Sequence, residues 1–184
     1  MTFLALLEQI PDRRRPQGKM FDQPHVLLFC ILAIMAGADS YRKMAIFIEE
    51  HFATLTHAYA LTWKRAPNYN SIRHVIHSLD TEDVERVFRA HAKTLAPRKK
   101  HSRPHISLDG KALKHSFDTV ADVRFRQILS AFSTFDRIIL AHADIGESKE
   151  NEANAAIRLL EELAIPRALY TLDALHTQKK RCKP

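Results

Sequence analysis

The sequence has little of what several protein classes require. Its 184 residues include two cysteines, Cys30 and Cys182, and four glycines. Two cysteines are too few for a disulfide framework or a cysteine-based zinc site, and so few glycines exclude collagen-like and low-complexity chains. The longest apolar run, residues 26–38, is shorter than the roughly 20 residues that a membrane span needs. No cleavable leader is visible at the start of the chain. We therefore expect a globular cytoplasmic protein with reduced thiols and no membrane partner.

Positive charge is in excess, and the excess lies in the first part of the chain. The sequence has 28 Lys and Arg against 21 Asp and Glu, a net charge of +7. Residues 1–105 contain 16 basic and 10 acidic side chains, whereas the remaining residues contain 12 and 11. The first part is therefore expected to meet an anionic partner, nucleic acid ahead of acidic membrane.

A basic loop after Pro11 supplies the best candidates for phosphate contacts. These are Arg13, Arg14, Arg15 and Lys19. A run of charge is also typical of a merely solvated surface, so this loop alone does not establish DNA binding.

The spacing of apolar residues predicts a helical domain over residues 1–95. The run at 26–38 is typical of a buried core helix. Ser40 is the expected N-cap of the next helix, and either Asn70 or Ser71 that of a later one. Another helix is predicted to begin at Thr81. Several short helices with basic faces are typical of a helix-turn-helix DNA module, although an ordinary helical domain would show the same pattern.

Two aromatic residues and the histidines have alternative interpretations. Trp63 and Tyr69 flank two basic residues and either stack on bases or fill a gap between helices, the second being favoured. His74 and His77 share a predicted helix face, but no third ligand of suitable spacing follows, so the sequence does not predict a zinc site.

The hydrophobic period changes after a basic, proline-containing linker at residues 96–105. The first strand is predicted at 105–109, with Gly110 ending it. Two more strands are predicted at 127–135 and 137–145, and they meet in a hairpin at Asp136. A helix at 151–164 and a strand at 168–173 follow. This order predicts an α/β sheet in residues 106–184, with a crossover helix leading to a parallel strand.

A carboxylate ends two of these apolar strands, Asp109 the first and Asp173 the last. Ligands of open α/β sheets collect at the carboxyl ends of strands. Two carboxylates side by side repel unless a cation lies between them, and oxygen ligands favour Mg²⁺ or Mn²⁺. Two such ions support displacement at a phosphodiester. Alternatively, both aspartates are ordinary turn or capping residues.

Several motifs along the whole chain resemble one known family. They are residues 10–19 (IPDRRRPQGK), 36–42 (AGADSYR), 70–80 (NSIRHVIHSLD), 107–111 (SLDGK), 130–132 (SAF), 149–152 (KENE) and 171–178 (TLDALHTQ). Together these motifs resemble the DDE-type insertion-sequence transposases of the group that includes the H-repeat-associated proteins.

The resemblance implies a helical N-terminal domain that helps to engage DNA, followed by a ribonuclease-H-like catalytic domain. Asp109 and Asp173 would be the first two carboxylates of a site for two Mg²⁺ or Mn²⁺ ions, and Lys111 and His176 would contact phosphate. The reaction implied is cleavage at transposon ends and strand transfer into target DNA.

The chain departs from the family pattern after Asp173. The resemblance implies a third carboxylate, a glutamate on a later helix, but residues 174–184 contain no acidic residue. Glu152 belongs to an earlier motif and does not replace it. We therefore expect a catalytically incomplete, truncated copy, in bacteria, that is associated with the nucleoid when bound to DNA. The alternative is a non-catalytic DNA-binding remnant that regulates an intact transposase, by competing for DNA or by forming oligomers with it or with itself.

Overall fold

The computed structural model describes residues 2–95, 103–112, 127–145 and 152–172. It is a mixed helix and sheet structure in two compact units, Met1–Val87 and Phe88–Pro184. The predicted linker at 96–105 lies mostly outside the described residues, and the domain boundaries stay predictions.

The first unit is helical. Its elements are α1 (Phe3–Leu7), a single 3₁₀ turn (Pro16–Gly18), α2 (Gln23–Met35), α3 (Tyr41–Glu50), α4 (Phe52–Ala58), α5 (Tyr69–His77) and the start of α6 (Thr81–Leu95). Helix α2 packs against α1, α3 and α5. Its residues Val26, Phe29 and Ala33 are fully buried, which confirms the predicted core helix.

The segment Pro16–Met35 is long and apolar enough to cross a membrane, judged by length and composition alone. The core helix of a soluble protein has the same properties, and the complete burial of Phe29 fits that explanation.

Side-chain caps fix where the helices begin. The hydroxyl of Ser40 accepts a hydrogen bond from the backbone N–H of Lys43, as the sequence predicts. Asn68 caps α5 by accepting from the N–H of Ser71 at 2.9 Å. The prediction of Asn70 or Ser71 as this cap was wrong, because the helix begins at Tyr69 and includes both residues.

The second unit contains a four-stranded sheet and α7 (Glu152–Leu163). The strands are β1 (His105–Ala112), β2 (Gln127–Ser133), β3 (Ile138–Ile145) and β4 (Leu169–Thr171). They lie in the order β3-β2-β1-β4, with β2 antiparallel to both β1 and β3 and β4 parallel to β1. The predicted parallel strand after a crossover helix is confirmed.

One face of this sheet is the core of the second unit. Ile106, Leu108 and Leu129 on this face are at most 4% exposed, and α7 packs over it through Ala156 and Leu159. The small side chains of Ala131, Ala141 and Ala143 on β2 and β3 let α7 pack close to this face.

The β2–β3 connection is the hairpin that the sequence predicts around Asp136. The N–H of Arg137 donates to the carbonyl of Ser133 at 2.8 Å, and the buried hydroxyl of Ser133 donates to the carboxylate of Asp136 at 2.7 Å. Arg137 has φ of +57°, a left-handed conformation that closes the turn.

The prediction that Gly110 ends the first strand was wrong. Gly110 pairs with Leu129, and Ala112 with Gln127, so the strand continues past the glycine. Pairing with β2 on one side satisfies the backbone here, and that outweighs the tendency of glycine to break strands.

Candidate functional site

The face of the sheet opposite α7 presents polar side chains along β1. Side chains alternate between the two faces of a strand, so His105, Ser107, Asp109 and Lys111 share this polar face while Ile106 points into the core. Asp109 and Lys111 are exposed. The structure therefore places two of the predicted site residues on one face, two positions apart.

Cross-strand register extends this polar face onto two further strands. Asp109 pairs with Ser130 on β2, and Ser130 pairs with His142 on β3. Neighbouring strands lie about 4.8 Å apart, so this row of three residues is about 10 Å wide between its outer Cα atoms. Sequence reasoning did not single out Ser130 or His142 as site residues.

His142 is held in place at the outer strand. Its ring lies 4.7 Å from that of Phe88, measured between centroids, and its carbonyl accepts a hydrogen bond from Arg89 at 3.1 Å. Arg89 also pairs with Glu162 on α7 at 2.5 Å. These contacts fix the β3 end of the row.

On its other side, β1 meets β4 in parallel register. Ser107 is opposite Thr171, and the ring Nε2 of His105 shares a hydrogen bond of 3.1 Å with the hydroxyl of Thr171. Asp109 is two residues beyond Ser107, as Asp173 is two residues beyond Thr171. Asp173 and His176 themselves lie outside the described residues.

The described part of the polar face suits a hard cation only in part. Asp109 offers an exposed carboxylate, with the hydroxyl-bearing Ser130 opposite, and such oxygen ligands are those that Mg²⁺ and Mn²⁺ prefer. Within the four described ranges, no group of three or more His, Cys, Asp or Glu residues is placed to hold a metal ion. A complete site therefore needs a ligand from outside those ranges.

In the first unit, the basic loop is organised around a buried arginine. The side chain of Arg14 is 2% exposed and forms a two-pronged ion pair with Asp12, at 2.8 and 2.9 Å. Its guanidinium also donates to the carbonyls of Gly18 at 3.0 Å and Phe21 at 2.8 Å. The hydrogen bond from Arg14 lowers the pKa of Asp12 below its usual value.

Arg14 is therefore a structural residue, and we do not retain it among the proposed DNA contacts. Its donors are directed into the loop that it organises, and a phosphate at the surface has almost no access to them. A charge run in a sequence does not reveal which of its members is buried.

Arg13 is exposed but already neutralised. It pairs with Asp80 at 3.1 Å and with Asp83 at 2.9 Å. The hydrogen bonds that Asp83 accepts, first from Arg86 and then from Arg13, lower the pKa of that carboxyl. A phosphate would have to displace two carboxylates to reach Arg13, which makes it a weaker contact than its exposure indicates.

The remaining basic residues of the loop face solvent. Arg15 is exposed, and its side chain has no hydrogen bond or ion pair within the described part of the chain. Lys19 donates to the carbonyl of Asp12 at 2.9 Å and lies 3.9 Å from its carboxylate, yet its side chain stays 41% exposed. These two residues are the members of the predicted set that are available to an anion.

Trp63 fills a gap between elements of the first unit, as the favoured interpretation predicts. Its ring lies 5.0 Å from Phe21 and 5.7 Å from Phe29, and its indole N–H donates to Asp22 at 3.0 Å. Tyr69 is different, because it stays 41% exposed with the guanidinium of Arg42 5.5 Å from its ring centroid.

The first unit is thus helical, and the second carries an exposed carboxylate, Asp109, on a strand that has a parallel neighbour. Residues 4–92 match the model of the DDE_Tnp_1-associated family. Over 97% of its length the chain is similar to proteins named putative transposases, and these matches together support a DDE-type transposase-associated family.

Three relatives illustrate the similarity. "Putative transposase YncI" of Escherichia coli O157:H7 is 29% identical, and this chain covers 45% of it. The protein of the same name from Escherichia coli strain K12 is also 29% identical, with 72% covered. "H repeat-associated putative transposase YhhI" of strain K12 is 27% identical, with 47% covered. The chain thus spans about half the length of the first and third of these relatives. No solved structure matches the chain.

Proposed function

We propose that this transposase-family protein acts on DNA at insertion-sequence ends, and that Asp109 and Asp173 are the first two carboxylates of its metal site. The observation that carries the proposal is the parallel register of Ser107 with Thr171. Parallel partners point to the same face of a sheet. Both aspartates lie two residues further along the chain than these partners, a spacing that favours one shared face.

The strand order supports a ribonuclease-H-like sheet in the second unit. Three antiparallel strands are followed by a helix and by a fourth strand that pairs with the first in parallel. In such a domain the first acid stands on the first strand and the second after the fourth, which are the sequence positions of Asp109 and Asp173.

The residues around Asp109 fit the proposed chemistry. When bound, a pair of Mg²⁺ or Mn²⁺ ions activates the attacking water and stabilises the leaving oxygen in phosphodiester cleavage. Asp109 would be one of the ligands of these ions. Lys111, on the same face, would contact a phosphate oxygen, and His176 is proposed for the same role from beyond Asp173.

The proposed reaction is cleavage at a transposon end, after which the freed 3′ hydroxyl attacks target DNA in line. The 184 residues have no glutamate after Asp173. A polypeptide of these residues alone is therefore expected to bind metal and DNA without cutting, and an intact transposase would have to supply a third carboxylate. The proposed contact with DNA would occur in the bacterial cytoplasm, which is the location we propose.

Titration with Mn²⁺, followed by electron paramagnetic resonance, tests the metal site. We expect saturable binding by the unaltered chain and at least a tenfold weaker affinity in Asp109→Asn. Asp144→Asn is the matched control, because Asp144 is an exposed carboxylate two strands away in the next row of the same face. Equal Mn²⁺ affinity in Asp109→Asn and the unaltered chain would refute the site.

A nicking assay on supercoiled DNA with Mn²⁺ tests the expected lack of activity. We expect no nicking by the chain alone. Nicking that disappears in Asp109→Asn would contradict the need for a third carboxylate and would identify the chain as an active enzyme. Nicking that persists in Asp109→Asn would be assigned to a contaminant, and the expectation would stand.

A further inference from the structure

The solvent face of α5 consists of polar side chains of the types that can hydrogen-bond to nucleic acids. Ile72 and Val75 face the core and are at most 1% exposed. The exposed positions of this nine-residue helix are Tyr69, Asn70, Arg73, His74 and His77. They include no carboxylate and no aliphatic residue.

Acidic residues are missing from this region over a long stretch of sequence. Residues 51–79 contain no Asp or Glu, and neither do residues 13–21 of the basic loop. The acids of the following segment are concentrated at residues 80–85. An uninterrupted absence of 29 residues is notable in a chain with 21 acids, because a solvated helix surface ordinarily mixes both signs of charge.

The fold brings these two acid-free segments together. A Cβ atom at Gly18 would lie 3.4 Å from the ring Nε2 of His74, so the loop contacts the exposed side of α5. Arg65, just before α5, lies 3.7 Å from the sulfur of Met20 through its guanidinium. Lys19 stands between Gly18 and Met20 in the sequence, and its ammonium group donates to the carbonyl of Asp12 at 2.9 Å.

The carboxylates nearest to this surface are already engaged. Asp12 pairs with Arg14, and Asp22 pairs with His25. Asp22 also accepts a hydrogen bond from the indole N–H of Trp63. Positive charge at Arg15 and Arg73 is therefore left to face solvent, whereas Lys19, 3.9 Å from the Asp12 carboxylate, shares that acid with Arg14. Within the described residues, the side chain of Arg73 has no hydrogen bond or ion pair.

We propose that α5 lies in the major groove of duplex DNA, where Asn70 and Arg73 contact base edges while Arg15, Lys19 and Arg65 contact phosphates. The proposal names the DNA-reading element and rests on the proposed function for the identity of the partner.

The dimensions and chemistry of the helix fit the groove. A helix with its side chains is about 10–12 Å in diameter, which fits a major groove about 12 Å wide, and the nine residues of α5 extend about 13 Å along it. Arginine bonds in two-pronged fashion to guanine and asparagine to adenine, whereas arginine and lysine charges bind the backbone. Tyr69 begins the helix with Arg42 against its ring, which adds a further cation at the groove edge.

Fluorescence anisotropy with a labelled random-sequence 24-bp duplex, in EDTA and over a range of salt concentrations, tests the phosphate contacts. Arg65→Ala and Arg15→Ala are each expected to weaken binding and to reduce the slope of log affinity against log salt by about 1. Lys43→Ala removes the same charge from an exposed lysine that is paired with Asp39, and it should change neither quantity. Circular dichroism and Trp63 emission establish that each variant is folded.

Selection from a duplex library with 12 randomised base pairs tests base reading. The unaltered chain is expected to enrich a sequence, and Arg73→Ala or Asn70→Ala to lose about 5- to 150-fold discrimination at one or two positions of it. The proposal is overturned if no sequence is enriched or if the Arg73→Ala and Asn70→Ala variants select the same sequence. It is also overturned if the Arg15 and Arg65 variants bind the duplex as the unaltered chain does, or if the labelled single strand binds more tightly than the duplex.

The outcomes also separate this inference from the metal site. DNA binding in EDTA should be unchanged by Asp109→Asn, because Asp109 lies on the sheet of the second unit. If Asp109→Asn loses Mn²⁺ binding while the α5 variants bind DNA normally, the groove proposal alone is refuted. If Asp109→Asn keeps its Mn²⁺ affinity while the α5 variants bind DNA as the groove proposal expects, the metal site alone is refuted.

Discussion

Replacing Arg14 with alanine tests whether the basic loop is built by a buried charge or merely carries exposed ones. The guanidinium joins Asp12 to the carbonyls of Gly18 and Phe21, and its side chain is 2% exposed. Removing one partner of a buried ion pair costs about 3–5 kcal/mol. Because the Asp12 side chain is 24% exposed and regains water, we expect the lower end, about 3 kcal/mol of unfolding free energy.

The single tryptophan makes this prediction measurable in the first unit alone. Trp63 lies 5.0 Å from Phe21, so its emission follows the unfolding of the loop and its neighbours. With an m-value of about 1.5 kcal/mol/M, the urea midpoint of Arg14→Ala should fall by about 2 M. Arg15→Ala, the exposed neighbour, should shift the free energy by less than about 0.5 kcal/mol. Equal midpoints for Arg14→Ala and the unaltered chain would refute the structural role of Arg14.

Three further predictions concern pH, backbone conformation and thiol reactivity. Because the pKa of Asp12 is lowered in the folded state, its stabilising effect is complete above its unfolded pKa of about 3.9 and is lost as the pH falls through the folded value. The urea midpoint should therefore change less between pH 2 and pH 6 in Arg14→Ala than in the unaltered chain. An equal change with pH in both proteins would contradict this linkage. Ala60 has φ of +50°, so Ala60→Gly should raise the free energy of unfolding by about 0.5–1 kcal/mol, whereas Ala53→Gly within α4 should lower it by up to about 1 kcal/mol. Urea titration of both variants checks the sign, and a loss of stability in Ala60→Gly would contradict it. Burial raises the pKa of Cys30 to about 12. In a folded variant that lacks the other cysteine, iodoacetamide at pH 8 should therefore leave this thiol unmodified. Rapid alkylation of the native protein, detected by mass spectrometry, would contradict the burial of Cys30.

The elements of the fold were predictable wherever one local rule decided the outcome. The apolar run that became α2, the Ser40 cap and the hairpin at Asp136 each depend on residues close together in the sequence. Gly110 was mispredicted because the pairing partner of a strand, and not its own propensity, keeps the glycine extended.

The candidate site was predictable only along single strands. Asp109 was identified at the end of an apolar strand pattern, but the row that joins it to Ser130 and His142 depends on an irregularity between Ala131 and Phe132 in the pairing of β2 with β3. A regular hairpin register, extended from the pair Ser133 and Ile138, would have placed His142 out of line with Ser130.

The basic loop shows the corresponding limit for charge. Arg13, Arg14 and Arg15 are indistinguishable in the sequence, yet one is paired with two carboxylates, one is buried and one faces solvent. Their differences arise from Asp80 and Asp83, about 70 residues away, and from carbonyls that only the folded loop directs inward. Composition thus predicted an anionic partner without showing which residues meet it.

Iron-mediated backbone cleavage tests most directly whether Asp109 and Asp173 share one metal site. Fe²⁺ substitutes for Mg²⁺ at carboxylate sites and, with ascorbate and peroxide, produces radicals that cut the chain next to the bound ion. We predict cuts near both residue 109 and residue 173, read by mass spectrometry, and the loss of both sets of cuts in Asp109→Asn or with excess Mg²⁺. Cuts near only one of the two aspartates, or cuts near residue 173 that persist in Asp109→Asn, would contradict a shared site.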